Sequence, residues 1–184
     1  MRSSSTRSVV VLLSILLNVH LFGVQAERKL KLHKLEKFKE DTRFVETNIS
    51  FVEVEENVIK VNGELKVIYQ VDDHFEIDVE VNRSEERDGE YKSVFYVDKT
   101  GVCDFMKTYY KDFFYDRLKE YSNAPDPSTC PLPEGAHYHL DDYPLDVEML
   151  KTLLKPGHYR IELKAMLDHL FYPLIYKAEL EVFE

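Results

Sequence analysis

From residue 58 the chain alternates between apolar and polar positions. Ile59, Val61, Leu65, Val67, Tyr69 and Val71 fall on one face, and Lys60, Asn62, Glu64, Lys66 and Gln70 fall on the other. This is the period-two pattern of a half-buried strand. Asp72-Asp73-His74 reads as a turn, after which Phe75, Ile77, Val79 and Val81 alternate with Glu76, Asp78, Glu80 and Asn82. The second run is read as the partner of the first. Residues 85–90 are polar and read as a loop, and residues 91–97 read as a further strand. Residues 44–54 read as one more, with an alternation that slips near Val52 as it would at a bulge. Near the C-terminus, Pro156-Gly157 marks a turn, and Tyr159, Ile161, Leu163, Ala165 and Leu167 then oppose His158, Arg160, Glu162 and Lys164. Beyond Asp168-His169, the positions Tyr172, Leu174, Tyr176, Ala178, Leu180 and Val182 form a last apolar face that closes a hairpin. One-sided antiparallel strands predict a sandwich. Val67, Tyr69, Ile77, Val79, Ile161 and Leu163 are expected to share one interior, with Lys66, Glu80 and Arg160 in solvent.

Two helices interrupt the strands, a long one over residues 104–121, ended by Asn123-Ala124-Pro125, and a short one over residues 146–154. On the long helix Phe105, Met106, Tyr109, Tyr110, Phe113 and Phe114 spread over about half the circumference, against the roughly 100° that docking on one surface requires. Either the helix is sunk deep into the domain or its spare aromatic surface lines a ligand cavity. A carrier binds by removing apolar surface from water, so its site belongs where aromatic surface is in excess. The candidate lining is Phe105, Tyr109, Phe113 and Phe114, with Tyr69, Phe75, Phe95 and Leu163 from the strands.

Residues 1–26 have the three parts of a secretory signal peptide: Arg2 and Arg7, an apolar run over residues 9–17, and the small-residue cleavage site Val24-Gln25-Ala26. The run is shorter than the roughly 20 residues of a membrane span. The mature chain is expected to be secreted and extracellular. The whole sequence carries 24 basic and 34 acidic residues, net −10; the leader holds two basic residues and no acidic one, which leaves −12. Nucleic acid is excluded as a partner on that balance. Residues 27–41 run against the trend, with Lys29, Lys31, Lys34, Lys37 and Lys39 interleaved with Leu30, Leu32, Leu35 and Phe38. This segment reads as a basic N-terminal arm, either solvated or, over residues 28–39, in peripheral contact with an anionic surface. The domain proper is residues 42–184.

Catalytic signatures are absent: no nucleophile elbow, zinc-protease helix, phosphate loop or paired-cysteine metal site occurs. His137-Tyr138-His139 with Asp141 and Asp142 could place two imidazoles and a carboxylate on one side of a strand, and Asp72-Asp73-His74 sets acids beside a base. Exposed strand residues and a solvated turn explain both, so no metal, cofactor or enzymatic activity is expected. Cys103 and Cys130, the only two cysteines, are expected to pair in an oxidising compartment. Asn48 and Asn82 head sequons for N-glycosylation.

The runs Gly101-Val102-Cys103-Asp104-Phe105-Met106, Tyr121-Ser122-Asn123, Cys130-Pro131-Leu132-Pro133-Glu134-Gly135 and Lys155-Pro156-Gly157-His158-Tyr159-Arg160, with the alternating Tyr138 and Leu140, resemble a large insect family of secreted proteins. That family includes the CheA and CheB chemosensory proteins. The C-terminal pattern also looks like the ganglioside-activator branch of the ML lipid-recognition family. The resemblance covers residues 91–183 and, more loosely, 44–90. It implies an immunoglobulin-like, ML-like antiparallel β-sandwich whose sheets splay apart to admit an acyl chain or similar apolar ligand. The leading expectation is a secreted binding protein for a hydrophobic or lipid-like small molecule, with chemosensation as its setting. The alternative is an extracellular protein–protein interaction module with a fully packed core and a receptor as partner. A pocket separates the two, because a core at about 0.74 packing density has no room for a lipid.

Overall fold

The computed structural model describes residues 28–55, 58–145 and 155–183. The signal peptide read at residues 1–26 and the short helix read at 146–154 lie outside the described residues. Within them the chain forms β1 (Lys29–Glu40), β2 (Val45–Glu55), β3 (Val58–Val67), β4 (Phe75–Ser84), β5 (Lys92–Gly101), β6 (His137–Leu145), β7 (Gly157–Leu167) and β8 (Phe171–Phe183), with one helical segment, α1, between β5 and β6. The strands make a five-stranded sheet, ordered β1-β8-β7-β4-β5, and a three-stranded sheet, ordered β2-β3-β6. All pairings are antiparallel. The architecture is the expected mostly β sandwich with one main helix.

The β7–β8 hairpin forms as its alternation predicts, turning at Asp168 and His169, both at positive φ. β2 and β3 pair with a register shift between Glu53 and Glu55, close to where the alternation slips. Two readings need correction. The basic segment is no arm but strand β1, paired with β8 from Lys29 opposite Phe183 to Glu40 opposite Leu174. Leu30, Leu32 and Leu35 turn into the sandwich, while the lysines at 29, 31, 34, 37 and 39 stay exposed. Bulges between Leu32 and Lys34 and between Lys37 and Lys39 change the phase, which is why simple alternation fails there. Second, β3 and β4 are not partners. β3 ends at Val67, where Val67 N–H donates to Ala136 O and Gly135 N–H to Val67 O. The chain then crosses to the other sheet through residues 68–74, and Tyr69, expected inside, is 55% exposed.

Most of the alternation holds: Lys66 and Arg160 are exposed, and Glu80, also expected in solvent, is half-buried. Glu76 is the exception, 9% exposed, with Oε2 at 2.7 Å from Nδ1 of His169 in the hairpin turn.

The helix spans residues 102–118, starting two residues and ending three residues before the expected 104–121. It consists of a first turn Val102–Phe105, a π-helical middle Met106–Tyr115 and a closing turn Asp116–Leu118. Three contacts fix where it starts. The Asp73 carboxylate accepts from Cys103 N–H at 2.8 Å, satisfying one of the orphan donors of the first turn. Gly101 lets that carboxylate approach, since a Cβ there would lie 2.5 Å from Asp73 Oδ1. Cys103 is bridged to Cys130, Cα to Cα 5.4 Å, as expected, tying α1 to the Cys-Pro loop.

The core is divided. Leu30, Ile59, Tyr159, Leu180 and Val182 pack at one end, and Val67, Val71, Phe75, Val102, Met106, Tyr110 and Leu132 pack under the helix at the other. Tyr159, 1% exposed, is the largest fully buried side chain, and its hydroxyl donates to Lys155 O at 2.6 Å. Tyr159→Ala should lower unfolding free energy by about 3–5 kcal/mol and Tyr159→Phe by about 1 kcal/mol, read from urea melts. Equal losses would assign the effect to the hydroxyl alone.

Candidate functional site

Between the two packed ends, positions that should be fully buried are only half-buried. Leu65 on β3, Ile161, Leu163 and Ala165 on β7, and Leu174, Tyr176 and Ala178 on β8 are all of this kind. A period-two strand turns each of them inward, so the remaining exposure means that the facing sheet does not reach them. The gap is a cavity of about 380 Å³ walled by Leu35, Ile49, Leu65, Ile161, Leu163, Leu174, Tyr176 and Ala178. A second apolar cavity of about 360 Å³ lies where the small sheet meets α1, walled by Val61, Met106, Tyr110, Leu118, Leu132, Tyr138 and Leu140. Ile49, Glu64 and Leu65 line both, so the two adjoin across β2 and β3.

Polar groups at the wall are tied to one another rather than offered inward. The Thr47 and Tyr176 hydroxyls share a hydrogen bond of 2.6 Å across the sheets. Glu40 accepts from Thr47 N–H at 2.9 Å and from its hydroxyl at 3.3 Å, and pairs with Lys37. Lys37 also donates to Thr47 O at 2.7 Å. These bonds strap β1 to β2. Partial burial pushes the Glu40 carboxyl up, but the Lys37 ammonium and the two Thr47 donors outweigh it and hold it below its ordinary value. On the helix side, burial raises the Tyr110 and Tyr138 phenols above their usual range, and Tyr110 donates to Pro125 O at 2.8 Å. Both phenols are neutral at physiological pH, so neither cavity presents a charge from them.

The candidate lining from sequence divides on this geometry. Leu163 lies in the wall of the inter-sheet cavity. Phe105, Tyr109 and Phe113 instead stack along one side of α1, with centroids 5.9 and 6.4 Å apart, and Phe95 meets Tyr109 edge-on at 6.3 Å. This ladder lines neither apolar cavity, and Phe113 is 41% exposed. Phe114 packs against the buried cluster under the helix. Phe75 is core, and Tyr69 sits beside it in a separate pocket with Phe44, His74 and Asp168. The helix face that meets the cavity is Met106, Tyr110 and Leu118, one position along from the ladder. The π-helical middle displaces the two faces from the spacing assumed for a regular α-helix. Ile49, Leu65 and Ile161 were readable as inward strand positions, but nothing in the pattern distinguishes a cavity wall from packed core.

The other candidates stay apart. His137 faces Glu64 at 3.7 Å and His139 faces Asp141 at 3.6 Å, each with its own carboxylate. His74 Nδ1 is 3.1 Å from Asp168 Oδ1, while Asp73 serves the helix start. Asn48 is exposed on β2, whereas Asn82 is half-buried on β4, an interior strand of the large sheet. A wider concavity, about 880 Å³, is an open groove between α1 and residues 126–128, edged by Lys107, Lys111, Asp112, Asp116 and Asp126. No described helix is long and apolar enough to cross a membrane.

Residues 76–161 match the family described as a protein of unknown function, DUF1091. The matched stretch runs from β4 through β5, α1 and β6 into β7, and so includes the disulfide, the helix and one wall of each cavity. No curated protein matches the chain.

Filling the gap provides a direct test. Leu163→Trp and Ile161→Trp should abolish uptake of a fluorescent fatty acid while lowering stability by less than about 1 kcal/mol, because the new rings enter empty space; overpacking a filled core costs about 1–3 kcal/mol. Phe113→Ala should leave uptake unchanged. A second expectation concerns pH. The depressed Glu40 carboxyl contributes stability that is fully present above its ordinary value of 4.5 and is lost as pH falls through the lower, folded-state value. Thermal melts of wild type and Glu40→Gln should therefore differ at neutral pH and converge as pH falls below the ordinary carboxylate range.

Proposed function

We propose that the mature protein is a secreted binder of an apolar, lipid-like small molecule held between the two sheets. The observation that carries this reading is a pair of adjoining apolar cavities, one between the sheets and one against α1, each within the range of roughly 300–1,000 Å³ usual for ligand sites. Burial of about ten methylenes at ~0.8 kcal/mol each would by itself support micromolar affinity. The resemblance to the secreted insect family of CheA and CheB and to the ML lipid-recognition family favours the same reading, with chemosensation as its setting. The leader and the Cys103–Cys130 bridge favour an extracellular home. Binding requires no catalytic group, and we read the protein as a carrier or presenter rather than an enzyme.

The second reading is an extracellular interaction module. One observation favours it: Phe51, Val52 and Val54 on β2 and Val58 on β3 are 38–55% exposed on an edge hairpin. An edge strand of this kind can add a partner's strand.

Native mass spectrometry of the protein secreted by a eukaryotic host separates the two. The carrier reading expects a mass adduct of a few hundred daltons that is released by organic solvent and absent from Leu163→Trp. Protein that is ligand-free after secretion and takes up no fluorescent fatty acid would move the assignment to the interaction module.

A further inference from the structure

His33, His158 and Glu181 are scattered over the sequence but meet on the five-stranded sheet, and each offers one ligand atom within 4.8 Å of the other two. The sheet brings them together in two ways. His158 on β7 and Glu181 on β8 are directly opposite in the antiparallel register. Their chain neighbours Tyr159, Leu180 and Val182 are core, so by strand alternation His158 and Glu181 lie on the outer face. His33 falls at the β1 bulge between Leu32 and Lys34, outside the regular pairing, and its Nε2 sits 3.0 Å from Glu181 Oε2. Bulges commonly re-aim a side chain in this way. The His33 and Glu181 side chains are only 21% and 33% exposed, so the group is partly shielded from water. The other described histidine–carboxylate pairs, at His74, His137, His139 and His169, are two-residue contacts with more exposed histidines.

We propose that His33, His158 and Glu181 form a zinc site. Two imidazoles and one carboxylate suit a borderline divalent ion such as Zn²⁺, whereas Ca²⁺ and Mg²⁺ require sets of oxygens. Ligand atoms at ~2.0–2.2 Å from a tetrahedral zinc lie roughly 3.4 Å apart. His33 and Glu181, at 3.0 Å, and His158, within 4.8 Å of both, reach that spacing by small side-chain rotations. The fourth position is left to water or an external ligand. Because the three donors come from β1, β7 and β8, the ion staples the N-terminal strand to the two strands beside it. β1 carries Leu35 in the cavity wall and Lys37 and Glu40 in the strap, so the staple braces one wall of the hollow.

The test is zinc titration by calorimetry of the chelator-treated protein secreted from the full chain, with native mass spectrometry to count bound ions. The expected result is one equivalent of Zn²⁺ bound at micromolar or tighter Kd, a rise in Tm with ZnCl2 and none with CaCl2. His158→Ala and the near-isosteric Glu181→Gln should each weaken binding at least tenfold, and a His137→Ala/His139→Ala double variant should bind as wild type. Folding of the variants is checked by circular dichroism, and Glu181→Gln decides if His158→Ala misfolds. Absence of a bound equivalent, or affinity lost in the His137/His139 variant and retained in Glu181→Gln, would overturn the proposal.

Discussion

The distance between the two sheets is set at their ends, and the rest of the molecule follows from that spacing. At one end the Tyr159 ring and the side chains of Leu30, Ile59, Leu180 and Val182 fill the gap. At the other, Phe75, Val102, Met106 and Tyr110 do so, with α1 inserted as a wedge. Each end carries a buried tyrosine ring, Tyr159 at one and Tyr110 at the other. The middle of β7 and β8 carries two alanines, Ala165 and Ala178, among Ile161, Leu163, Leu174 and Tyr176, so less side-chain volume is available there. Sheets normally pack about 10 Å apart with interdigitated side chains. When bulky groups hold both ends, less side-chain volume between them leaves space, and the cavity is the result of that difference.

Holding the helix wedge in place needs restraints that do not come from the core. The Cys103–Cys130 bridge closes a loop worth roughly 3–4 kcal/mol in the chain-entropy account. Asp73 satisfies the first turn, and Tyr110 anchors to Pro125 through its hydroxyl. These contacts all sit at the helix end of the sandwich. The other end has no covalent tie, and there the N-terminal strand is held by its pairing with β8, by Leu30 and Leu32 in the core and by the His33–Glu181 contact.

The sequence was most legible where one rule sufficed. The β7–β8 hairpin and the Cys103–Cys130 bridge follow from alternation and from cysteine number. β1 was hidden because two bulges break its period and its lysines imitate a solvated arm. The mistaken pairing of β3 with β4 has a different cause: strands of opposite sheets show the same inward alternation, so periodicity records that a face is buried but not against what. The cavity was hidden for a related reason. Ile161 and Leu163 have the same pattern whether the opposing sheet touches them or not, and only the spacing imposed by residues far along the chain decides. The wide aromatic face of α1 divides: Phe105, Tyr109 and Phe113 stack on one another, with Phe95 against Tyr109 and Phe105 also against the core under the helix, while Met106, Tyr110 and Leu118 turn toward the hollow.

A hollow sandwich must keep its large sheet stiff without help from the middle of the core, and the outer face of that sheet offers a means. Lys164 lies 3.9 Å from Asp78 and 3.7 Å from Glu162, Lys177 lies 3.3 Å from Glu162, and Arg160 lies 3.8 Å from Glu179. Asp78 opposes Lys164 on β4 and β7, and Glu162 opposes Lys177 on β7 and β8, so the charges run as cross-strand pairs through the three central strands. An isolated exposed pair contributes little, but Lys164, Glu162 and Asp78 are each only 22–30% exposed and share partners. The ladder lies directly behind Ile161, Leu163 and Tyr176, the residues that line the inter-sheet cavity. Interactions on the solvent face thus hold the register of strands whose inner face has lost part of its packing, which lets the wall stay ordered whether or not apolar matter fills the space before it.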